Sequence, residues 1–314
     1  MQEQILIEAR GLSRRYGPTV AVAGLDLTLR KGEILGLLGP NGAGKTTTMM
    51  MLAGCLAPSA GSISINGVDL RENPGRAKQH LGYLPERPPV HPELTVDEYL
   101  TYCAGLHGIA SSQRAGAVAS AKKDCGLADV GRRLIGNLSK GYQQRVGLAQ
   151  AIIHRPPVII LDEPTVGLDP IQIREIRALI TELGKSHSVI LSSHILPEIQ
   201  AVCGRVMIIH RGRAVYNEAL GQARGAAITV QLRRPPKAED LRSFNGVTQV
   251  ADLGGGRFRL HCADAADPRE ALAELAARNH WGLLELRAEA KTLEEIFVEL
   301  TSGDEPRDVA AEAA

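Results

Sequence analysis

The sequence predicts an α/β protein, with a layered core on a mostly parallel sheet followed by a smaller α+β unit. Three observations carry this prediction. Short apolar runs fit strands that are buried on both faces, helical patterns alternate with those runs, and the composition changes near residue 221. The chain has 314 residues, of which 44% are hydrophobic and 23% charged, so it can bury a sizeable core.

The strands of the main unit are predicted from apolar runs and alternating patterns. They are expected at 5–9, 25–29, 33–39, 61–65, 158–161, 188–192 and 206–209. Asn66-Gly67, after the fourth of these strands, is a typical hairpin turn. Helices are expected over 45–52 and 171–183, and in a helical subdomain at about 90–155. A capping box at Thr95–Glu98 is expected to begin the first helix of that subdomain.

Two domains are predicted from the change in composition. Residues 1–220 form the main domain, a linker of small residues follows, and residues 226–302 form the second domain. The elements of the second domain are expected in the order βαββαβ with one further helix, which is the split βαβ pattern. An N-cap at Asp267 is expected to begin its second helix. Residues 303–314 are small and acidic and are expected to be disordered.

Composition argues against several classes of function. Lys plus Arg number 36 and Asp plus Glu number 35, so no excess charge attracts the chain to nucleic acid. Aromatic residues make up only 3%, too few for platforms on which single strands stack. No apolar run approaches the roughly 18 residues that a membrane-spanning helix requires, and the polar first residues do not resemble a secretory signal. We therefore expect a cytoplasmic protein, whose membrane role would come through a partner chain.

A glycine-rich loop between a predicted strand and a predicted helix carries the first chemical motif. Gly39–Thr46 matches G-x-x-x-x-G-K-[ST], in which glycines let backbone amides point at phosphate oxygens. The following helix directs its positive end at the same anion. Lys45 is expected between the β- and γ-phosphates as a catalytic group, and the Thr46 hydroxyl is expected to ligate Mg²⁺. The predicted phosphate-binding residues are Gly39, Asn41, Gly42, Gly44, Lys45, Thr46 and Thr47.

An acidic pair follows the apolar run 158–161. Asp162 and Glu163 are expected at the carboxyl end of this strand, where ligands of parallel sheets bind. Asp162 would hold Mg²⁺, and Glu163 would polarise the water that attacks the γ-phosphate. Together with the glycine-rich loop, the pair identifies a P-loop nucleotide-hydrolysing enzyme but leaves its branch undecided.

The segment Leu138–Arg145, with the sequence LSKGYQQR, points to one branch. It resembles the signature loop of ABC transporter ATP-binding subunits, usually written L-S-G-G-Q. The resemblance covers about residues 5–215 and includes further elements in the family's order. Tyr16 matches the aromatic residue that stacks on adenine, Asp169 lies in a segment like the D-loop, and His194 is similar to the switch histidine.

This resemblance implies an ATP-driven dimer. Two ATP molecules lie between two head-to-tail copies in this family, so Ser139 and Gly141 would bind the γ-phosphate held by the other copy's phosphate loop. His194 would contact that phosphate and help hold the attacking water, and Asp169 would couple the two sites. ATP and Mg²⁺ are the implied cofactors. A homodimer or a paired ATPase domain is the implied working unit.

Two places depart from the family pattern. Glu86 stands where a glutamine is usual; a carboxylate there could ligate Mg²⁺ but adds negative charge near the γ-phosphate. Lys140 and Tyr142 replace glycine and glutamine in the signature loop, and both a phosphate-attracting and a solvated Lys140 remain open. With these features the chain is similar to the subgroup that serves ABC-2-type exporters, including gliding-associated and copper-processing systems.

The function expected from the resemblance is an ATPase subunit that powers an ABC-2-type transporter. Its transmembrane permease subunits would be separate chains, and the protein would lie peripherally on the cytoplasmic face of the cell membrane. Two alternatives stay open. One is a soluble ABC ATPase in nucleic-acid repair or translation, although the balanced charge speaks against nucleic acid as a partner. The other is a regulatory module that uses ATP only as a switch.

Overall fold

The computed structural model describes residues 4–220, 227–242, 244, 246–262, 269–289 and 293–301. The chain divides into two compact units, Met1–Leu220 and Gly221–Ala314. Mixed α/β layers in the first unit and an antiparallel sheet with helices in the second confirm the predicted fold class. Within the described ranges, no helix is both long enough and apolar enough to cross a membrane.

The first unit is organised around a six-stranded sheet that carries the functional loops. Its strands are β3 Ile34–Leu38, β6 Leu81–Leu84, β7 Val158–Leu161, β8 Ser188–Ser193, β9 Arg205–His210 and β10 Arg213–Ala219. They lie in the order β10-β9-β3-β8-β7-β6, and β10 pairs antiparallel with β9 while the other pairs are parallel. All residues of β7 and β8 are buried, as expected for central strands covered on both faces.

The parallel register brings the ends of four strands to one edge of this sheet. Leu38 lies opposite Ser193, and Leu161 lies opposite both Leu84 and Leu191. The segments that follow β3, β6, β7 and β8 therefore leave the sheet side by side. This is the carboxyl edge, where ligands bind in open parallel sheets.

The first unit also contains an antiparallel sheet in the order β2-β1-β4-β5. Its strands are β1 Ile5–Tyr16, β2 Thr19–Arg30, β4 Ala60–Ile65 and β5 Val68–Asp69. β1 and β2 are longer than predicted because their mutual pairing continues, through several register shifts, beyond the apolar runs. Asn66 and Gly67 have φ values of 48° and 77°, which confirms the predicted hairpin turn. Leu29 of this sheet and Leu37 of the other belong to one hydrophobic core.

Helices complete the first unit. They are α1 Lys45–Leu52, α2 Pro74–Lys78, α3 Val96–Leu106, α4 Ser111–Asp124, α5 Lys140–Ile152, α6 Pro170–Leu183 and α7 Leu196–Val202. Two short 3-10 helices, Ala128–Val130 and Ile135–Asn137, precede α5. The predicted capping box begins α3: the Thr95 hydroxyl accepts from the Glu98 amide, and the Glu98 carboxylate accepts from the Thr95 amide at 2.8 Å.

The second unit has the predicted order, βαββαβ followed by a helix. Its elements are β11 Ala227–Leu232, α8 Ala238–Arg242, β12 Val247–Gly254, β13 Arg257–Cys262, α9 Arg269–Arg278, β14 Leu283–Glu289 and α10 Leu293–Thr301. The antiparallel sheet has the order β12-β13-β11-β14, with a separate core that includes Val230 and Phe258. Most of the predicted linker, the N-cap at Asp267 and the tail 303–314 lie outside the described residues.

Candidate active site

The loop between β3 and α1 holds the Lys45 ammonium group inside the protein. Lys45 is 5% exposed, and its Nζ donates hydrogen bonds to the carbonyl oxygens of Gly39 at 2.8 Å and Pro40 at 3.3 Å. Oε1 of Glu163 lies 3.3 Å from the same nitrogen. Because both side chains are buried, water screens this ion pair only weakly, and the lysine is fixed at the base of the loop.

Two glycines of this loop allow a close approach of neighbouring backbone. A Cβ on Gly39 would lie 2.3 Å from the carbonyl oxygen of Ile209, and one on Gly44 would lie 2.5 Å from that of Ala21. Gly44 also has a φ of 104°, which other residues rarely adopt. These glycines let the chain turn tightly into α1, whose N-terminus favours a bound anion.

Asp162 follows β7 and is fully buried. Its Oδ1 accepts hydrogen bonds from the hydroxyls of Ser192 at 2.6 Å and Thr46 at 3.5 Å. Burial raises the pKa of the Asp162 carboxyl; the two hydrogen bonds oppose this shift, and the charges of Glu163 and Glu86 add to it. Its Oδ2 is buried, and none of the described residues forms a hydrogen bond with it. A carboxylate oxygen without a hydrogen bond, next to a hydroxyl oxygen, gives a pair of oxygen ligands that suits Mg²⁺.

Glu163 is held beside His194 in an uncommon backbone conformation. Its φ is 46°, in the left-handed region that few residues other than glycine adopt. The Glu163 amide donates a hydrogen bond to the Ser192 hydroxyl at 2.9 Å, and its Oε2 lies 2.9 Å from His194 Nδ1. The carboxylate thus contacts Lys45 through one oxygen and His194 through the other. The loops after β3, β7 and β8 therefore meet at Glu163.

A cavity of about 300 Å³ opens over these groups. It is lined by Ala21, Asn41, Gly42, Gly44, Lys45, Thr46, Thr47, Glu86, Glu163, Val166 and His194. The structure therefore brings together predicted residues from the glycine-rich loop, the acidic pair and the loop after β8, and places Glu86 with them. Gly39 and Asp162 do not line the cavity, but they contact Lys45 and Thr46, which do.

Tyr16, Ser139, Gly141 and Asp169 are predicted site residues that do not line this cavity. Tyr16 is 47% exposed, and the Arg14 guanidinium lies 4.8 Å from the centre of its ring. A half-exposed aromatic ring supplies a surface on which a planar ligand can stack.

Ser139 and Asp169 each cap the start of a helix. The Ser139 hydroxyl accepts a hydrogen bond from the Tyr142 amide at 3.4 Å in α5, and the Asp169 carboxylate accepts one from the Gln172 amide at 2.9 Å in α6. A Cβ on Gly141 would lie 2.9 Å from the Gln172 side chain, so the two helix starts are adjacent. Neither helix start contributes a residue to the lining of the cavity that holds Lys45.

Several residues at the cavity were not predicted from the sequence. Ala21 and Val166 line it, and Ser192 bonds both members of the acidic pair. Small apolar residues and a serine at the end of a strand have no pattern that distinguishes them from core residues. The position of Ser192, at the carboxyl end of a buried strand and two residues before His194, is the signal that could have identified it.

The arrangement contains the groups that phosphoryl transfer to water requires. A buried ammonium beside the start of α1 can stabilise phosphate oxygens. The Glu163 carboxylate can accept a proton from water, and a hydrogen bond to His194 orients it. Positioning and electrostatic stabilisation are the main contributions that a protein makes to this reaction.

Comparisons with known proteins agree with this chemistry. The family model described as ABC transporter matches residues 22–166. The chain is 32% identical, over 307 residues, to the Nod factor export ATP-binding protein I of Burkholderia orbicola (strain AU 1054), covering 96% of this chain and 98% of that protein. It is 34% identical over 213 residues to the probable multidrug ABC transporter ATP-binding protein YbhF of Escherichia coli (strain K12). That match covers 68% of this chain but only 37% of the length of YbhF.

A solved structure of an ATP-binding subunit of an ABC transporter resembles the chain with a TM-score of 0.62 and 31% sequence identity. The match covers 68% of this chain and 90% of that one. The relative that matches along nearly its whole length shows the family directly. The chain therefore belongs to the ATP-binding subunits of ABC transporters, a family of ATPases.

Proposed function

We propose that the chain hydrolyses ATP in this cavity, with Lys45, Glu163 and His194 as the catalytic residues. The observation that carries the proposal is the contact of one carboxylate with both Lys45 Nζ, at 3.3 Å, and His194 Nδ1, at 2.9 Å. A γ-phosphate bound to Lys45 competes with Glu163 for the ammonium, which leaves a carboxylate oxygen able to accept a proton from water. The other phosphate contacts would come from Gly39, Asn41, Gly42, Gly44, Thr46 and Thr47.

Thr46, Asp162 and Glu86 are the residues that would hold Mg²⁺. The unpartnered Oδ2 of Asp162 and the Thr46 hydroxyl supply the hard oxygen ligands that this ion prefers. Glu86 lines the same cavity, and its charge contributes to the raised pKa of Asp162. The ion would offset this concentration of negative charge and neutralise charge on the triphosphate.

A second copy of the chain would complete the site. Ser139, Gly141 and Asp169 are adjacent at two capped helix starts but outside the cavity lining. In a head-to-tail pair, the Ser139 hydroxyl and the Gly141 amide would reach the γ-phosphate held by Lys45 of the other copy. Tyr16 would stack on the adenine. Asp169 would link the two sites across the pair.

We propose that the chain powers an ABC-2-type exporter, in the group that includes gliding-associated and copper-processing systems. The LSKGY sequence of the signature loop and Glu86 after Leu84-Pro85 support this group. The Nod factor export relative matches both units of the chain, which favours an exporter with the same two-unit subunit. Transmembrane permease chains would bind around Glu86 and residues 94–135, and would hold the protein at the cytoplasmic face of the membrane.

The experiment that tests the hydrolytic site is the variant Glu163→Gln. We expect its kcat to fall at least about 100-fold, because an amide cannot accept the proton. Its affinity for ATP should be retained or increased, since Lys45 loses a competing anion. ATP should also stabilise a dimer, measured by light scattering. The matched control Glu182→Gln changes an exposed glutamate paired with Lys185 and should have the wild-type kcat. A wild-type kcat in Glu163→Gln contradicts this assignment.

A nucleic-acid ATPase is the alternative that the transporter proposal must exclude. Such a protein binds DNA or RNA with an affinity that falls steeply as salt rises. We expect no salt-dependent binding of labelled DNA or RNA to the protein when it is saturated with ATP. Affinity that declines linearly with the logarithm of salt concentration would favour the alternative. For the exporter itself, a membrane permease that co-purifies with this chain is the partner to reconstitute, and Glu163→Gln should abolish the export that the pair gives.

A further inference from the structure

We propose that Glu198 is a positioning residue for ATP hydrolysis, which holds the loops that carry Glu163 and His194 at their working distance. This inference rests on the roles proposed for those two residues. It assigns a function to a buried carboxylate outside the cavity lining and outside every motif of the sequence.

Glu198 accepts two hydrogen bonds from buried hydroxyls. It lies in α7 and is 5% exposed. Its Oε2 accepts from the Thr165 hydroxyl at 2.7 Å and from the Ser193 hydroxyl at 2.9 Å. Hydrogen bonds to a carboxylate are stronger than those between neutral groups. Among the described residues no basic side chain forms an ion pair with Glu198, so these two hydroxyls are the contacts that offset its burial.

The two hydroxyls belong to the segments that carry Glu163 and His194. Thr165 lies two residues after Glu163 in the turn that follows β7, and Ser193 is the last residue of β8, immediately before His194. Since His194 Nδ1 lies 2.9 Å from Glu163 Oε2, the contacts form a closed ring. Glu163 and His194 close it on the cavity side, and Glu198 closes it on the opposite side.

Local hydrogen bonds join residues within each loop, so that the residues of one loop move together. The Val166 amide donates to the Glu163 carbonyl at 3.2 Å, and the Ile195 amide donates to the Ser193 hydroxyl at 3.0 Å. The Ser193 hydroxyl therefore accepts from the backbone and donates to Glu198. Without this carboxylate, two buried donors lose their common acceptor, and each loop can rotate toward other partners. A displacement of about 1 Å at a reacting group can reduce a rate about 100-fold.

The test compares Glu198→Ala with Glu198→Gln. We expect Glu198→Ala to reduce kcat for ATP at least tenfold while the Kd for ATP stays within about twofold, because the contacts of Lys45 to its own loop are untouched. Glu198→Gln keeps an acceptor oxygen of the same reach, so its kcat should stay within about threefold of wild type. Recovery of kcat in the conservative variant separates positioning from simple loss of stability.

The control for stability is Arg205→Ala. Arg205 is 8% exposed and pairs with Glu33 at 2.6 Å, at the start of β9 and thus at the opposite edge of the sheet. Removing it leaves a buried charge unpaired and lowers the midpoint of unfolding. Its kcat per folded molecule should remain that of wild type. An equal loss of kcat in Arg205→Ala and Glu198→Ala, or a kcat within twofold of wild type in Glu198→Ala, would overturn the proposal.

Amide hydrogen exchange gives a second readout that does not depend on turnover. Glu198→Ala should lose protection at 163–168 and 193–195 together, whereas Arg205→Ala should not change these two segments. Unchanged protection in Glu198→Ala overturns the positioning role even if the rate falls. By contrast, a fully active Glu163→Gln would contradict the proposed catalytic function, while coupled exchange in the two loops would still show that Glu198 holds them.

Discussion

Lys45 and Glu163 form a buried ion pair, with Nζ 3.3 Å from Oε1 and exposures of 5% and 6%. The ammonium expected to hold a phosphate therefore also holds the carboxylate expected to activate water. Coulomb interactions are strong in such a weakly screened place, and loss of either partner leaves an uncompensated charge. Binding of a phosphate to Lys45 would thus release the Glu163 carboxylate from its contact with the same ammonium group.

Lys45→Ala is expected to weaken ATP binding at least tenfold, because it removes the cation that phosphate oxygens would contact and leaves the charge of Glu163 near them. Isothermal titration with ATP measures this Kd, and thermal unfolding shows whether the variant is folded. Lys185→Ala, which removes an exposed lysine paired with Glu182, is the control and should bind normally. Unchanged affinity in Lys45→Ala would count against the phosphate-binding loop.

Asp162→Asn is expected to remove the dependence of ATP hydrolysis on Mg²⁺ concentration, together with most of the rate. The amide nitrogen would replace the buried Oδ2, which accepts no hydrogen bond from the described residues, and would place a donor where a cation would bind. Glu86→Gln keeps an oxygen at the cavity, so its rate of ATP hydrolysis should fall less than tenfold. Steady-state rates over a range of Mg²⁺ concentrations measure both. A normal Mg²⁺ titration in Asp162→Asn would remove Asp162 from the proposed ion site.

Gly39→Ala is expected to lower the free energy of unfolding by more than about 2 kcal/mol, since its Cβ would lie 2.3 Å from the Ile209 carbonyl oxygen. Gly116→Ala is the matched control in the exposed interior of α4, where a Cβ meets nothing within 4 Å. It should increase stability by up to about 1 kcal/mol. Urea unfolding measures both variants. An unchanged free energy of unfolding in Gly39→Ala would contradict the close contact between this position and the Ile209 carbonyl oxygen.

His154 is expected to make stability depend on pH. Its ring stacks on His107 with centres 3.8 Å apart, and Nε2 lies 3.2 Å from the Leu81 carbonyl oxygen. Its Nδ1 is buried, with no hydrogen-bond partner in the part of the chain that the structure describes. Burial, with a smaller contribution from the charge of His107, lowers the pKa of His154 from 6.5 to about 4. Between these two values the unfolded chain binds more protons than the folded one, so the free energy of unfolding falls as the pH falls.

We expect a decrease of about 1–2 kcal/mol between pH 6.5 and 4 from this group, after allowance for the part of the ring that solvent reaches. Urea unfolding at each pH measures it. His154→Gln should flatten this part of the curve, whereas His91→Gln, a change at a half-exposed histidine, should not. Equal slopes in wild type and His154→Gln would show that other groups carry the dependence.

The chemistry at the strand ends could be predicted because its residues are consecutive in the sequence. Gly39 to Thr46 and the pair Asp162-Glu163 each follow an apolar run, and parallel pairing then brings these runs to one edge. The helix expected over 171–183 is present as α6, and the caps at Ser139 and Asp169 that begin α5 and α6 are seen in the structure.

Other parts of the site depend on contacts that only folding creates. Ser192, Thr165 and Glu198 come from three separate segments, and an acidic residue in a short helix ordinarily indicates a solvated face. The full length of β1 was not predicted for a related reason. Its second half has no apolar alternation and is held as a strand by pairing with β2 and β4.

The structure of Glu163→Gln bound to ATP and Mg²⁺ tests the shared site most directly. We expect a head-to-tail pair in which one γ-phosphate lies within hydrogen-bond distance, about 3 Å, of Lys45 Nζ in one copy and of the Ser139 hydroxyl in the other. A pair that docks through different surfaces, with Ser139 distant from both triphosphates, would contradict the shared site.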